Sequence, residues 1–362
     1  MKKINILVIT GLVFMLFKSN IQAGKNEILQ RDIPLSCFVV HCEPTTATDS
    51  MFTSLQELVI LADNHNVKLT IDLTPQWASM ILDNTSYFGM MNDWQQNGHE
   101  IACHHHAYWF NWGSGSRATW DGYTNTSPDS LLENHALYYL GDMNAFMDTL
   151  NSLPGTRTSG CLGGTGHPND EIDWPPELLY STVGQAYEEA VSQPYQIDCN
   201  GYTVYEISHV FLYREAFAVD SLKTLYLQTS GDSVFNVITH VNNYESLPAP
   251  VELWFEFLWL QENSGESRKT VTEIMEEFLV PSSPTDVEIE IIENNAVLSW
   301  SAVETSIYEI PIEIDDYIIY YCNSTDSTFS PLGITTDTTF IHNNVCDLND
   351  QMFYRITAEK QN

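Results

Sequence analysis

Between residues 33 and 280, short apolar stretches alternate with longer segments whose apolar residues recur at helical spacing. The stretches LSCFVVHC, VKLTIDL, HEIACH and SVFNVITH have the length and the valine and isoleucine content of strands. Strands that alternate with helices in this way predict a parallel sheet with helices packed against it. We therefore expect an α/β fold, either a barrel or an open sheet.

The helices are predicted from the apolar spacing between these strands. The segment DSMFTSLQELVILADN should begin with Asp49 or Ser50 as its N-cap. We expect residues 79–98 to form one helix that ends at Gly98, and residues 127–153 to form one long helix with Pro154 and Gly155 beyond its end.

The first 23 residues have the pattern of a secretory signal peptide. Lys2 and Lys3 precede an apolar stretch at residues 4–17, and the small-residue site Ile-Gln-Ala ends at Ala23. A permanent membrane anchor is the weaker interpretation, because a membrane-spanning helix needs about 18 apolar residues. We therefore expect cleavage after Ala23 and a secreted or periplasmic protein.

The chain is strongly acidic, with 48 aspartate and glutamate residues against 14 lysine and arginine residues and a net charge of −34. Such a surface repels phosphate backbones and anionic lipids. We therefore expect no nucleic-acid partner, and no membrane partner once the signal peptide is removed. The 9 tryptophans and 18 tyrosines fit a carbohydrate-binding protein, but they equally fit a large core.

The seven cysteines are an odd number, so at least one thiol should stay free even in an oxidising compartment. Cys322 with Cys346 is the favoured disulfide pair, because both lie in the C-terminal segment. Cys161 with Cys199 is a weaker candidate. No CxxC motif is present, which disfavours a structural zinc knuckle.

The pattern changes at the linker PSSP, and residues 281–362 show period-two alternation without a helical signal. This segment resembles a fibronectin type III domain, on the Pro-rich entry, the stretch AVLSW with Trp300, the stretch DYIIYY, and Tyr354 six residues after Leu348. The resemblance implies an all-β immunoglobulin-like sandwich without an obvious last strand, so that either a sheet edge is left open or this copy is truncated. Such a module would act as a spacer or would dock the protein on a cell surface or cell wall.

Histidines and acidic residues follow the predicted strands at the point where each strand ends. His41 lies at the end of the first strand and Glu43 follows it, Asp72 lies near the end of the second, residues 104–106 end the third, and His240 ends a later one. In parallel α/β folds the carboxyl ends of the strands share one edge, and the chemistry lies there. The pattern therefore predicts one polar site built from several strands.

The stretch GHEIACHHHAYW, residues 98–109, resembles the second motif of polysaccharide deacetylases of the NodB type, in which a Gly-His-Glu-Ile strand leads into metal-binding histidines. The stretches VVHCEP and VKLTIDLTPQWA are similar to the family's first two strand ends, and VITHV is similar to its last motif. The resemblance implies a distorted (β/α) barrel of the glycoside hydrolase/deacetylase type over residues 24–280. It also implies a metal-dependent hydrolase that removes acetyl or related acyl groups from a polysaccharide.

The resemblance places a divalent metal ion, expected to be zinc, on Glu43, His104 and His106. His104 matches the first histidine of the motif, while the second motif position holds Tyr108, so His106 is the nearest substitute. Residues two apart on an extended segment face the same side, which pairs His106 with His104 and turns His105 away. Two imidazoles and one carboxylate leave a coordination position open for water, as a catalytic metal requires.

The resemblance also implies the proton-transfer residues. His240 matches the family's final acid, which protonates the leaving amine. The family's first strand ends in two aspartates, whereas this chain has His41 and Glu43 around Cys42. His41 is therefore a candidate base or an additional ligand, and Asp72 is an alternative base. The family's arginine motif is matched only weakly in this chain, at Arg157.

Two rival functions stay open. A non-catalytic carbohydrate- or cell-surface-binding protein is favoured by the missing aspartate pair and by Tyr108. A glycoside hydrolase on a similar barrel would need two carboxylates that face one glycosidic bond. The aromatic residues of the loop after the histidines would either stack on sugar rings or pack on the barrel: Trp109, Phe110, Trp112 and Trp120.

Overall fold

The computed structural model describes most of the chain between residues 33 and 360, with gaps. The described ranges are 5–8, 33–106, 120–126, 138–162, 173–182, 193–199, 201–212, 216–324, 328–345 and 351–360. They fall into two compact units, one within Gln30–Glu276 and one within Glu277–Asn362. The second unit also contains the short strand β1 (Asn5–Val8). Cleavage of the segment that contains β1 stays a prediction.

The first unit is built on a nine-stranded sheet in the order β7-β8-β6-β5-β4-β3-β2-β10-β9. Every neighbouring pair is parallel except β7 and β8. The prediction of an α/β fold with a parallel sheet is therefore confirmed, while closure into a barrel stays a prediction. The strands are β2 (Leu35–Cys42), β3 (Leu69–Leu73), β4 (Glu100–His105), β5 (Ser159–Leu162), β6 (Tyr180–Ser181), β7 (Tyr195–Cys199), β8 (Tyr202–Glu206), β9 (Val210–Phe211) and β10 (Val234–His240).

Helices connect most of these strands in the described part of the chain. They are α1 (Asp49–Asn64), α2 (Pro75–Leu82), α3 (Thr85–Gln96), α4 (Met143–Asn151), α5 (Ala216–Gln228), α6 (Val241–Ser246), α7 (Ala249–Gln261) and α8 (Val271–Phe278). None of the described helices combines the length and the apolar composition that a bilayer crossing requires.

Three helix predictions were wrong in detail, each because of a capping side chain. The N-cap of α1 is Thr48, whose side chain accepts from the Met51 amide, rather than Asp49 or Ser50. The expected single helix at residues 79–98 is two helices, because the Asn84 side chain accepts two amides and starts a second one. The long helix expected from residue 127 is interrupted, since residues 138–142 are not helical and Asp142 caps α4 through the Ala145 amide.

The two faces of β2 are both buried but differ in character. Phe38, Val40 and Cys42 lie in the hydrophobic core that the sheet forms with its helices. Because side chains alternate along a strand, His41 projects to the opposite face. The same alternation on the neighbouring strands places polar side chains on that opposite face. A polar site can therefore form there.

Glu100, at the start of β4, links three strands and a helix from this polar face. Its carboxylate accepts hydrogen bonds from Thr70 of β3 (2.9 Å) and from Ser159 of β5 (2.5 Å). It also accepts from the amide (3.2 Å) and the hydroxyl (2.5 Å) of Thr272 in the first turn of α8. A negative charge near a helix N-terminus is favourable. Glu100 therefore holds the N-terminal parts of β3, β4 and β5 against the N-terminus of α8.

The second unit is all-β in the residues described. Its sheets have the orders β11-β12-β15 and β1-β16-β13-β14, and β1 runs parallel to β16. Trp300 is buried and contacts the ring of Tyr317, whose hydroxyl accepts a hydrogen bond from the Val303 amide (2.9 Å). Its strands are β11 (Glu288–Ile292), β12 (Asn295–Ser299), β13 (Asp316–Cys322), β14 (Ser330–Thr335), β15 (Thr339–His342) and β16 (Gln351–Glu359).

Neither predicted cysteine pairing is seen among the described residues. Cys161 is a buried free thiol, so its pairing with Cys199 was wrong. Cys322 is also a buried free thiol, and its predicted partner Cys346 lies outside the described residues.

Glu100→Gln should lower the free energy of unfolding by about 1–3 kcal/mol, because the amide nitrogen cannot accept the hydroxyl and amide donors that the carboxylate holds. Denaturant titration measures the change. Glu57→Gln, on the exposed side of α1, is the control and should leave stability within about 0.5 kcal/mol of the original. Equal effects of the two substitutions would contradict the linking role of Glu100.

Candidate metal centre

The pairing register of the central strands assembles the site. His240 at the end of β10 lies opposite His41 of β2, and His41 lies opposite Asp72 of β3. Asp72 in turn lies opposite Ala102 of β4, two residues before His104. Four neighbouring parallel strands therefore deliver their polar residues to one edge of the sheet, as the sequence predicts for this fold class.

Glu43 is the centre of the group. Its Oε2 lies 2.9 Å from Nε2 of His106, and its Oε1 lies 3.1 Å from Nε2 of His240 and 3.5 Å from Nε2 of His104. The backbone of Glu43 is fixed by Trp77, whose indole N–H donates to the Glu43 carbonyl oxygen (3.0 Å). One carboxylate is thus surrounded by three imidazoles.

The charges of this group suit a bound cation. Burial alone would raise the pKa of Glu43, but its hydrogen bonds with His104, His106 and His240 hold that pKa well below the usual value. Burial lowers the pKa of His104 to about 4, against an opposing effect of Glu43. The carboxylate is therefore ionised and the His104 ring is neutral near pH 7, which are the forms that bind metals.

Glu43, His104 and His106 each offer one ligand atom, and these atoms lie within 4.8 Å of one another. Nε2 of His104 and Nε2 of His106 are only 2.8 Å apart. Two imidazole nitrogens that point at the same position, with a carboxylate beside them, fit the His–His–carboxylate donor set of a catalytic zinc site. These three residues therefore have the chemistry to hold a divalent metal ion.

His240 borders this group on the more open side. It precedes α6, and its side chain is 27% exposed, against 2% for His104 and 11% for His106. Its Nδ1 lies 3.5 Å from the side-chain nitrogen of Asn243. Of the predicted site residues, His240 is the one most accessible to a bound molecule.

His41 and Asp72 lie deeper. The His41 ring stacks on His104 with centroids 4.3 Å apart, and its Nε2 lies 3.5 Å from Oδ2 of Asp72. Burial lowers the pKa of His41, and the neighbouring His104 and His240 lower it further. Asp72 has no exposed surface, and burial together with the charge of Glu100 raises its pKa.

Cys161 on β5 joins this deeper layer, although sequence reasoning assigned it to a disulfide. It pairs with His104 across β4 and β5. Gly160 makes this pairing close, because a Cβ there would lie 2.6 Å from the carbonyl oxygen of Cys103. A lone cysteine in the stretch TRTSGCLGG gave no sequence signal for a site, so only the sheet register reveals it.

His105 faces the other side of β4, as the period-two argument predicts. Its Nδ1 lies 2.7 Å from Oδ2 of Asp121 and its Nε2 lies 3.4 Å from Oδ2 of Asp173. Burial alone would lower the pKa of His105, but the two carboxylates raise it to about 10. Asp121 also accepts the backbone amide of His106 (3.1 Å), so this buried ion network holds the segment that carries a candidate ligand.

Two other predicted features do not reach the site. Trp120 is buried and stacks on Tyr138 with centroids 4.9 Å apart, so it does not present a face to sugar. Arg157 is buried and donates to the Ile101 carbonyl oxygen (2.8 Å), a structural contact. Tyr108 and the other predicted loop aromatics, Trp109, Phe110 and Trp112, lie outside the described residues.

No protein-family model and no curated protein matches the chain. Solved structures that are similar to it include a polysaccharide deacetylase, described as putative, from Mycobacterium smegmatis, with 11% identity and a TM-score of 0.43 over 67% of this chain and 90% of that one. A probable polysaccharide deacetylase from Pseudomonas aeruginosa PAO1 has 12% identity and a TM-score of 0.43 over 68% and 91%. Puue allantoinase has 12% identity and a TM-score of 0.43 over 73% and 98%. Similarity at this level decides nothing about function, which therefore rests on the geometry.

His105→Asn should reduce the free energy of unfolding by about 3–5 kcal/mol near pH 7, because it leaves two buried carboxylates without their cationic partner. The raised pKa means that the stabilisation by His105 is complete below about pH 6.5 and is lost as the pH rises through about 10. The difference in the free energy of unfolding between wild type and variant, measured by denaturant titration, should therefore become smaller between about pH 7 and pH 10.

His99→Asn is the matched control. His99 faces one carboxylate, Asp63, which is 38% exposed, and burial lowers the pKa of His99. The control should cost about 1–2 kcal/mol, and its effect should not shrink over the same pH range. A His105→Asn effect that is independent of pH would contradict the ion network.

Proposed function

We propose that the protein is a metal-dependent hydrolase that removes acetyl or related acyl groups from a polysaccharide. The observation that carries the proposal is the meeting of Glu43, His104 and His106 around one position, with His240 beside it. The NodB-type resemblance of the stretch GHEIACHHHAYW supports the same chemistry. The distorted barrel implied by that resemblance belongs to the proposal as well.

In this proposal Glu43, His104 and His106 hold the divalent metal ion, with zinc expected from the imidazole and carboxylate donors. When bound, such an ion lowers the pKa of a coordinated water to about 7 and polarises the substrate carbonyl. The hydrogen bond from the His106 amide to Asp121 and the hydrogen bond from Trp77 to the Glu43 carbonyl fix the ligand backbones. The chain thus orients the backbones of two of the three ligands, Glu43 and His106, before substrate arrives.

His240 handles the proton in this proposal. Its Nε2 lies 3.1 Å from Glu43 Oε1, next to the proposed metal position, and its side chain is the most exposed of the group. It can take a proton from the attacking water and deliver it to the leaving nitrogen or oxygen. Asp72 and His41 are only 0% and 4% exposed, so the proposal does not give them this role.

The substrate is expected to be a neutral or basic polymer. A net charge of −34 repels anionic glycans, whereas deacetylation of an N-acetylated sugar produces an amine that is attracted to an acidic surface. Export by the predicted signal peptide would bring the protein to such polymers in a secreted or periplasmic location. The C-terminal unit, as a fibronectin type III module, would act as a spacer or would dock the protein on a cell surface or wall.

A glycoside hydrolase is less well supported by this geometry. That reaction needs two carboxylates on either side of one bond. Among the described strand-end residues of the site, the other carboxylate besides Glu43 is Asp72, which has no exposed surface. A non-catalytic carbohydrate-binding protein remains the second candidate, favoured by Tyr108 at the position of the family's second histidine.

Purified protein should bind zinc or cobalt and release acetate from a panel of acetylated oligosaccharides. Glu43→Gln should lose the metal of this site and at least about 100-fold of the activity, because it removes the anionic ligand. His240→Asn should keep that metal and lose about 100- to 10,000-fold in kcat, because it removes the proton donor. Elemental analysis of the purified variants measures the bound metal, and the rate of acetate release measures the activity.

His65→Gln, at the end of α1 and away from the site, is the control and should change neither quantity. Full metal occupancy in Glu43→Gln would contradict the ligand assignment. Metal bound by wild type with no acetate released from any member of the panel would favour the binding protein, and shortened glycans would favour a glycosidase.

A further inference from the structure

A second group of metal-binding side chains lies beneath the proposed catalytic ligands. His41, Asp72, His104 and Cys161 each offer one ligand atom, and the four atoms lie within 4.8 Å of one another. We propose that this inner group binds a divalent transition-metal ion of its own, distinct from the ion of the outer group. The proposal goes beyond the deacetylase function and does not require it.

The first argument is that several donor atoms of the inner group are buried without a partner. Both carboxylate oxygens of Asp72, Nε2 of His41 and Nδ1 of His104 are buried without a hydrogen bond of normal length and angle, although the Thr182 hydroxyl faces the Asp72 carboxylate. Asp72 is fully buried, and His41 Nε2 stands 3.5 Å from it without forming a hydrogen bond. Buried polar groups in folded proteins are almost always satisfied, and one cation would satisfy one such atom on each of these three side chains.

The second argument is the chemistry of the donor set. Two imidazoles, one carboxylate and one thiolate make a four-ligand site of the kind that zinc and cobalt occupy. The carboxylate and the thiolate together balance the two positive charges of the ion. This neutralisation lowers the desolvation cost of burying the ion. Calcium and magnesium are disfavoured, because they take oxygen ligands.

The third argument is the position of the four residues in the sheet. His41, Asp72, His104 and Cys161 come from β2, β3, β4 and β5, which are consecutive neighbours. The register pairs His41 with Asp72 and His104 with Cys161. Ligand atoms of a tetrahedral zinc site lie roughly 3.3–3.8 Å apart, so small side-chain rotations would close the present spacing of up to 4.8 Å.

His104 is common to both groups. Its Nε2 lies near Glu43 and His106, whereas its Nδ1 is the buried nitrogen without a partner. The inner ion would take Nδ1 of His104 and the outer ion Nε2, so with both ions bound the ring would be an imidazolate whose remaining ring proton is released to solvent. Four protein ligands leave no position for water, so the inner ion would be structural and would hold four strand ends together.

The thiolate gives the inner ion a signature that the outer group cannot produce. The test loads the full-length protein with Co²⁺ for absorption spectroscopy and with Zn²⁺ for X-ray absorption. Wild type should show a thiolate-to-cobalt charge-transfer band, and its zinc should have a sulfur neighbour at about 2.3 Å. Two equivalents of metal are expected.

Cys161→Ser should lose the band and one equivalent of metal. Cys103→Ser is the matched control, because Cys103 is a buried free thiol in the hydrophobic core on the other face of β4, and it should keep both. Glu43→Gln should keep the band and lose only the outer ion, which separates the inner site from the proposed function. His104→Ala should lose both ions.

Metal-loaded wild type without a thiolate band and without a sulfur neighbour would overturn the inner site, and this measurement needs no variant. A band that survives in Cys161→Ser would overturn it as well. Neither result depends on acetate release, so the deacetylase proposal is judged separately.

Discussion

The register of the central parallel strands is the constraint on which the site depends. Parallel pairing places His240, His41 and Asp72 side by side at the ends of β10, β2 and β3. A shift of one residue in any strand would turn its polar side chain into the hydrophobic core under the helices. The apolar residues that alternate with them, such as Val40 and Val237, fix the register because they are buried in that core.

The three consecutive histidines show how one strand serves both faces of a sheet. His104 and His106 project toward Glu43, while His105 projects toward Asp121 and Asp173 on the opposite face. Each face therefore combines buried imidazoles with buried carboxylates. Polar groups of this kind are costly to bury unless they are paired, so the two networks stabilise the strand end only as complete sets.

Sequence reasoning succeeded where the signal is local and periodic. Short apolar stretches with helical segments between them predicted the parallel strands, and the spacing of two predicted that His104 and His106 share a side opposite to His105. Capping changed helix boundaries that periodicity could not define, as Asn84 shows by starting a second helix. Cys161 and the two aspartates beside His105 carry no local pattern, because their position follows from strand order and from pairing over long sequence distances.

The central claim is that Glu43, His104 and His106 bind one metal ion. Crystals of the zinc-loaded protein, measured at the zinc absorption edge, test this claim most directly. The account predicts an anomalous peak about 2.0–2.2 Å from Nε2 of His104, Nε2 of His106 and the Glu43 carboxylate. Zinc found elsewhere, with these imidazoles still hydrogen-bonded to Glu43 and no peak between them, would contradict it.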